Sequence, residues 1–270
     1  MGYARMESVL RNGMVNGSIT RHDKTQDPTI GLIGNKRPLV LWLADYSVYS
    51  GTTLSSVYNL IPGGSGMSIG SSPAYIEDGV FNTRSYIDFN SAADRVYTTS
   101  TSLMSGKNEI TIVMLCKLTS TADRTLFYKI DSTITNTIGD LHVQSIGGNK
   151  VRVTFIGNPT TTSAVYETYD ATIEGSWFLL TVKARLYQPN GQGSELEIYV
   201  NGTQNQTPIT TTFVGSTSNF TSDPLYFGNN TSATAGGSQI AGGFVADYWL
   251  NSVEQIRIEN FFRWYYGYRF

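Results

Sequence analysis

The stretch Ser194–Gln204, "SELEIYVNGTQ", decides how the rest of the chain is read. Leu196, Ile198 and Val200 alternate with Glu195, Glu197 and Tyr199, which is the period-two pattern of a strand with one buried face. The run then stops at Asn201-Gly202, a pair suited to the positive φ values of a tight hairpin turn. Two carboxylates two residues apart on one strand face are compatible with the paired acids of glycoside hydrolysis. They are equally compatible with the polar side of an ordinary sheet.

The same alternation and turn chemistry recur through most of the chain. "SYIDFN", "NEITIVMLCKL", "RTLFYKI", "DLHVQSI", "KVRVTFIG", "SWFLLTVKARLY", "PLYFGN" and "GGFVADYWLN" all read as strands, and "GGN" and "QPNGQG" as turns. "LVLWLADYSV" opens as a continuous apolar run, which suits a strand buried on both sides. The Gly-rich segment from Pro62 to Ser72 reads as a flexible surface loop. Trp42 and Trp177 have strongly apolar neighbours and read as core. Ten to fourteen short strands with polar turns and no fixed-period repeat imply a β-sandwich or barrel.

Near the end, "SVEQIRIENFFRWYYGYRF" changes character. Ser252-x-x-Gln255 has the form of a capping box, Val253, Ile256, Phe261 and Trp264 fall near helical spacing, and Gly267 stands where a C-cap belongs. One short helix packed on the sandwich is expected. The start differs too. Residues 1–37 carry scattered charges, two Asn-Gly pairs and no sustained period, and read as an N-terminal arm or docking segment. Its apolar residues Leu10, Met14 and Ile19 are too few and too irregular to form a core, but could be buried against another subunit. They are the expected attachment residues. Residues 38–270 are expected to form a single domain.

Composition excludes several classes. A formal net charge of -2 among 270 residues offers no electrostatic footprint for nucleic acid. No apolar run approaches the roughly 18 residues of a membrane span. "MGYARMESVLRNGM" lacks the apolar region of a secretory signal. The single cysteine, Cys116, excludes an intrachain disulfide and sits in an apolar strand. With only His22 and His142, neither a His-rich zinc site nor a G-x-S-x-G serine triad is available.

The order of these motifs resembles that of concanavalin A-like (laminin-G-like) jelly rolls. "LVLWLADYSV", "SPAYIEDGVFNTRSYIDFNSAADRVYT" and "NEITIVMLCKL" are similar to the family's opening strands, with "DFN" at Asp88–Asn90 in place of F-D-G. "GSWFLLTVKA", "LEIYVNGT", "PLYFGNN" and "GGFVADYWLNSVEQIRIENFFRWYYGYR" are similar to its second half and closing helix. The resemblance covers about residues 38–270. It implies an all-β sandwich of two antiparallel sheets with one short C-terminal helix. It also implies that any metal is a single calcium at the rim, for which Asp88, Asn90, Asp94 and Asp247 are the candidate oxygen donors. Laminarinase-type hydrolases of this fold place acids as E-x-D-x-(x)-E on one strand. Here Glu195 and Glu197 have no third acid after them, so no catalytic residue is assigned.

Two functions from different classes follow. The first is a non-enzymatic structural or adhesion protein of a virion, expected to be that of a bacteriophage, in head decoration, fibre or tail. Its arm would dock on other virion proteins or on further copies of the chain, and its jelly roll would meet surface glycans. The second is a carbohydrate-binding module or glycoside hydrolase working outside the cell.

Overall fold

The computed structural model describes residues 36–80, 84–91, 93–119, 124–129, 139–146, 150–156, 164–167, 173, 175–186, 195–204, 207–210, 219–229 and 237–267. The arm with Leu10, Met14 and Ile19 lies outside them. The strands are β1 (Val40–Leu43), β2 (Val48–Ser50), β3 (Thr53–Ser56), β4 (Met67–Gly70), β5 (Ala74–Val80) and β6 (Arg84–Phe89). They continue as β7 (Arg95–Thr98), β8 (Glu109–Leu118), β9 (Arg124–Lys129), β10 (Leu141–Ile146), β11 (Lys150–Phe155) and β12 (Ala164–Glu167). The last are β13 (Trp177–Arg185), β14 (Glu195–Val200), β15 (Thr203–Gln204), β16 (Thr207–Thr210), β17 (Tyr226–Gly228) and β18 (Ser238–Ala246), followed by helix α1 (Ser252–Tyr266).

The strands form two antiparallel sheets, so the expected all-β sandwich is the observed architecture. A ten-stranded sheet runs β15-β14-β13-β8-β18-β6-β5-β3-β2, with β1 joined to β18 beside β6. An eight-stranded sheet runs β16-β12-β11-β10-β9-β17-β7-β4. The Pro62–Ser72 segment, expected to be a loop throughout, supplies β4. Met67 and Ile69 pack on the core and Ser68 and Gly70 face away, which is ordinary strand alternation. "VNGT" makes the tight turn expected of it: Asn201 has φ 55° and Gly202 φ 85°, joining β14 to β15.

The main core lies between the sheets. Ile110, Ile112, Met114 and Cys116 of β8 and Phe178, Leu180 and Val182 of β13 meet Val96, Phe127, Val143, Val153 and Phe227 of the smaller sheet. Trp42 is fully buried there, edge-on to Phe227 at 5.4 Å between centroids. Cys116 is also fully buried, and that burial pushes its thiol well above the usual range.

The larger sheet is apolar on its outer face as well. Leu41, Leu43, Val113, Leu115, Leu179 and Phe244 point away from the main core, and α1 covers them with Ile258, Phe261, Phe262, Tyr265 and Tyr266. The helix begins one residue earlier than Ser252-x-x-Gln255 would place it. Asn251 is the N-cap, its side chain accepting from the Glu254 N–H, while the Glu254 carboxylate accepts from the Asn251 N–H. Gly267 closes the helix with φ 67°. Of the four apolar residues noted at helical spacing, only Phe261 is buried; Val253, Ile256 and Trp264 face outward.

Two consecutive glycines of β18 serve the two layers separately. A Cβ on Gly242 would lie 2.9 Å from Leu43 and 3.0 Å from the Tyr266 hydroxyl oxygen, on the helix side. A Cβ on Gly243 would lie 2.6 Å from both Phe227 and Trp42 Nε1, on the core side. Gly243→Ala should therefore lower stability by about 1–3 kcal/mol, the usual cost of overpacking a filled core. Urea unfolding checks this: the midpoint should fall with an unchanged slope.

Candidate functional site

With α1 on one sheet and the core between the two, the outer face of the eight-stranded sheet has no helix packed on it among the described residues. Its strands alternate in the simple way. Val96, Phe127, Val143, Val153 and Phe227 turn inward, so their neighbours turn outward. The pairing then places Ser68, Tyr97, Tyr226, Tyr128, His142 and Thr154 in one cross-strand row on β4, β7, β17, β9, β10 and β11. Beside this row, Thr125, Gln144 and Arg152 align on β9, β10 and β11.

Three tyrosines at the centre of the row stand against one another. The Tyr226 and Tyr128 rings are stacked at 4.3 Å with 1° between planes, and Tyr97 stacks on Tyr226 at 5.4 Å. The guanidinium of Arg95 reaches over two of these rings, 5.9 Å from the Tyr97 centroid and 5.7 Å from that of Tyr226. Tyr97, Tyr226 and Arg95 remain partly exposed while Tyr128 is buried. Burial pushes the Tyr128 hydroxyl up to about 12, against the opposing pull of Arg95. His142 shares a 2.9 Å hydrogen bond between Nε2 and Thr125 Oγ1. Burial lowers its pKa from 6.5 to about 4, so the imidazole is neutral at physiological pH. The face thus offers aromatic surface, hydroxyls, an amide, a neutral imidazole and a guanidinium.

The acids singled out by sequence lie elsewhere, on the outer face of the larger sheet. Glu197 meets Lys183 at 2.5 Å and accepts from the Tyr199 hydroxyl at 2.8 Å, and Glu195 meets Arg185 at 3.3 Å. Arg185 also stacks on Trp249 at 3.9 Å and lies 3.7 Å from Glu109. These acids are not a freely solvated face: each is held by a cation of the neighbouring strand.

The four calcium candidates do not converge. Asp88, Asn90 and Asp94 lie at the end of β6 and just beyond it, whereas Asp247 follows the far end of β18 and pairs with Lys107 at 2.6 Å. The Asp94 carboxylate is engaged by the N–H groups of Ser91 at 2.8 Å and Ser72 at 3.3 Å. Burial raises the pKa of Asp88. Among the described residues no group of three or more His, Cys, Asp or Glu could hold a metal ion. Three of the four candidates share the end of β6, and Asp247 stands apart from them.

Sequence reading missed the tyrosine row. Its signal lay in "LFYK" and "PLYFG", where an outward tyrosine adjoins an inward phenylalanine.

No protein-family model matches the chain, and no curated protein matches it in sequence. Solved structures do match in fold. The receptor-binding domain of botulinum neurotoxin type G superposes with a TM-score of 0.55 at 15% identity, over 83% of this chain and 52% of that one. The botulinum neurotoxin serotype D ligand-binding domain in complex with N-acetylneuraminic acid gives 0.55 at 11% identity, over 81% and 51%. The receptor-binding domain of the C/D mosaic serotype gives 0.56 at 10% identity, over 82% and 50%. The chain spans about half the length of these neighbours. At such identities the likeness is one of fold, and the neighbours are binding domains rather than enzymes by name.

His142 gives a pH test. Because the folded pKa lies below the unfolded value of 6.5, the unfolded chain takes up the proton first, and folding loses stability as pH falls from about 6.5 to about 4. His142→Gln should lack this contribution, up to about 3 kcal/mol. Urea unfolding at pH 7 and pH 4 should show a smaller pH-dependent loss for the variant than for the parent chain.

Proposed function

We propose that this chain is a non-enzymatic adhesion domain that binds glycans on the outer face of its eight-stranded sheet. The observation that carries this reading is the row Tyr97–Tyr226–Tyr128, flanked by His142, Gln144 and Thr125. A saccharide has apolar C–H patches and a rim of hydroxyls. Tyrosine answers both with few rotatable bonds, which is why it serves so well in adaptable binding surfaces. Here the rings are already locked against each other, so contact with a ligand would order little that is not ordered beforehand. The names of the structural neighbours, receptor-binding domains and one complex with N-acetylneuraminic acid, are consistent with this reading. The ion-paired state of Glu195 and Glu197 disfavours the hydrolase alternative.

The wider setting belongs to the same proposal. The motif order and the fold support a concanavalin A-like jelly roll. The irregular N-terminal segment, with Leu10, Met14 and Ile19 as its apolar residues, supports attachment to a larger particle, of which a bacteriophage virion is the proposed case.

A glycan array with the full chain tests the reading. Binding to at least one saccharide class is expected, and Tyr226→Ala should weaken it about tenfold or more, as truncation of a central interface aromatic does. The fold should survive, since each of the two cross-strand pairs that Tyr226 makes contributes only about 0.2–1 kcal/mol. An array with no bound glycan, or binding indifferent to Tyr226→Ala and Tyr97→Ala, would overturn it.

A further inference from the structure

We infer that the saccharide taken by this face is acidic, and that Arg95 reads its carboxylate. The inference rests on the glycan-binding reading of the face and specifies its ligand class.

Arg95 is held in an unusual position for a surface arginine. It lies opposite Gly70 of β4 and Gly228 of β17. A Cβ on Gly70 would stand 2.7 Å from both Cγ and Nε of Arg95, so glycine at that position gives the side chain room to lie against the strand. The arginine is thereby laid toward the tyrosine row, with its charge over two ring faces. Its Nε is buried without a hydrogen-bond partner, as are those of Arg185 and Arg263, and its side chain hydrogen-bonds Tyr128.

The other arginines tied into the fold are treated differently. Arg84 pairs with Asp45 at 3.0 Å, Arg185 with Glu195 at 3.3 Å, and Arg263 with Glu259 at 3.5 Å. Arg95 has no carboxylate partner among the described residues. Its sequence neighbour Asp94 faces away, bound to the N–H groups of Ser91 and Ser72. A guanidinium is charged at every physiological pH and offers a planar fork of donors that matches a carboxylate in two parallel hydrogen bonds. Tyrosine faces hold and orient such a group without neutralising it. A charged fork placed beside an aromatic and hydroxyl surface is suited to a sugar ring that carries a carboxylate, such as a hexuronic or sialic acid.

Matched pairs of probes test this: oligogalacturonate against its carboxyl-reduced form, and 3′-sialyllactose against lactose. Titration calorimetry with the full chain should show the acidic member of at least one pair bound about tenfold or more tightly, the scale of a hydrogen bond to a charged group. Raising the ionic strength should narrow that gap. Arg95→Gln should abolish the preference, so that acidic and neutral members bind alike. Arg95→Lys should restore only part of it, because an ammonium keeps the charge and loses the fork. Equal binding of acidic and neutral members, or a preference unchanged in Arg95→Gln, would overturn the inference. If that neutral binding still depended on Tyr226, the glycan-binding reading would stand without it. Failure of the parent chain to bind any of the four probes would overturn the acidic reading. The glycan array would then decide whether the face binds glycans at all.

Discussion

The structure depends on one constraint: its larger sheet is apolar on both faces. β8 and β13 read almost continuously hydrophobic, "EITIVMLCKL" and "WFLLTVKAR", and nearly every residue in them is buried. An antiparallel sheet commonly leaves one face to water. This one cannot, so it needs two covers. The eight-stranded sheet provides one and α1 the other. β18 lies where the covers meet, pairing with β8 along one edge and with β6 and β1 along the other. Gly242 and Gly243 let both layers approach its backbone. Tyr266 fastens the helix there, its hydroxyl donating to the Ala241 carbonyl. Glu259, buried in α1, accepts from Thr181 Oγ1 of β13 at 2.9 Å. What remains after this packing is the outer face of the smaller sheet, and that is where the aromatic and polar groups of the candidate site lie.

Charge is distributed between the two outer faces by the same logic. Near the helix on the larger sheet, Lys183, Arg185, Glu109, Glu195 and Glu197 are partly shielded, and they are matched with one another. An unpaired charge there would bear a desolvation cost. On the smaller sheet Arg95 lies on a face over which no helix packs among the described residues, and it has no carboxylate partner among them.

Much of the fold was legible because it is local. Alternation in "LHVQSI" and "KVRVTF" assigns inward and outward positions without any knowledge of neighbours. Asn201-Gly202 announces its own turn. The helix was legible in kind but shifted by one residue. The sequence contains both Ser252-x-x-Gln255 and Asn251-x-x-Glu254, and tertiary contacts decide between them. Glu109 holds the Trp249 N–H at 2.9 Å and Thr111 holds that of Leu250 at 3.3 Å, tethering the chain to β8 up to the point where α1 starts. The buried face of α1 follows Ile258, Phe261, Phe262, Tyr265 and Tyr266, an i, i+3, i+4, i+7, i+8 series that the exposed Val253, Ile256 and Trp264 obscured. The outward tyrosines of "LFYK" and "PLYFG" were legible one by one, but not as a row, because Tyr97, Tyr128 and Tyr226 meet only through strand register between distant parts of the chain.

The central claim is that the outer face of the smaller sheet is where this protein meets its ligand. Backbone amide chemical-shift mapping with a saturating bound saccharide tests it most directly. The account predicts perturbations centred on residues 95–97, 124–128, 141–144 and 226–228, with α1 unmoved. Perturbations centred on α1 or on the β2–β3 edge, with those four segments silent, would contradict it.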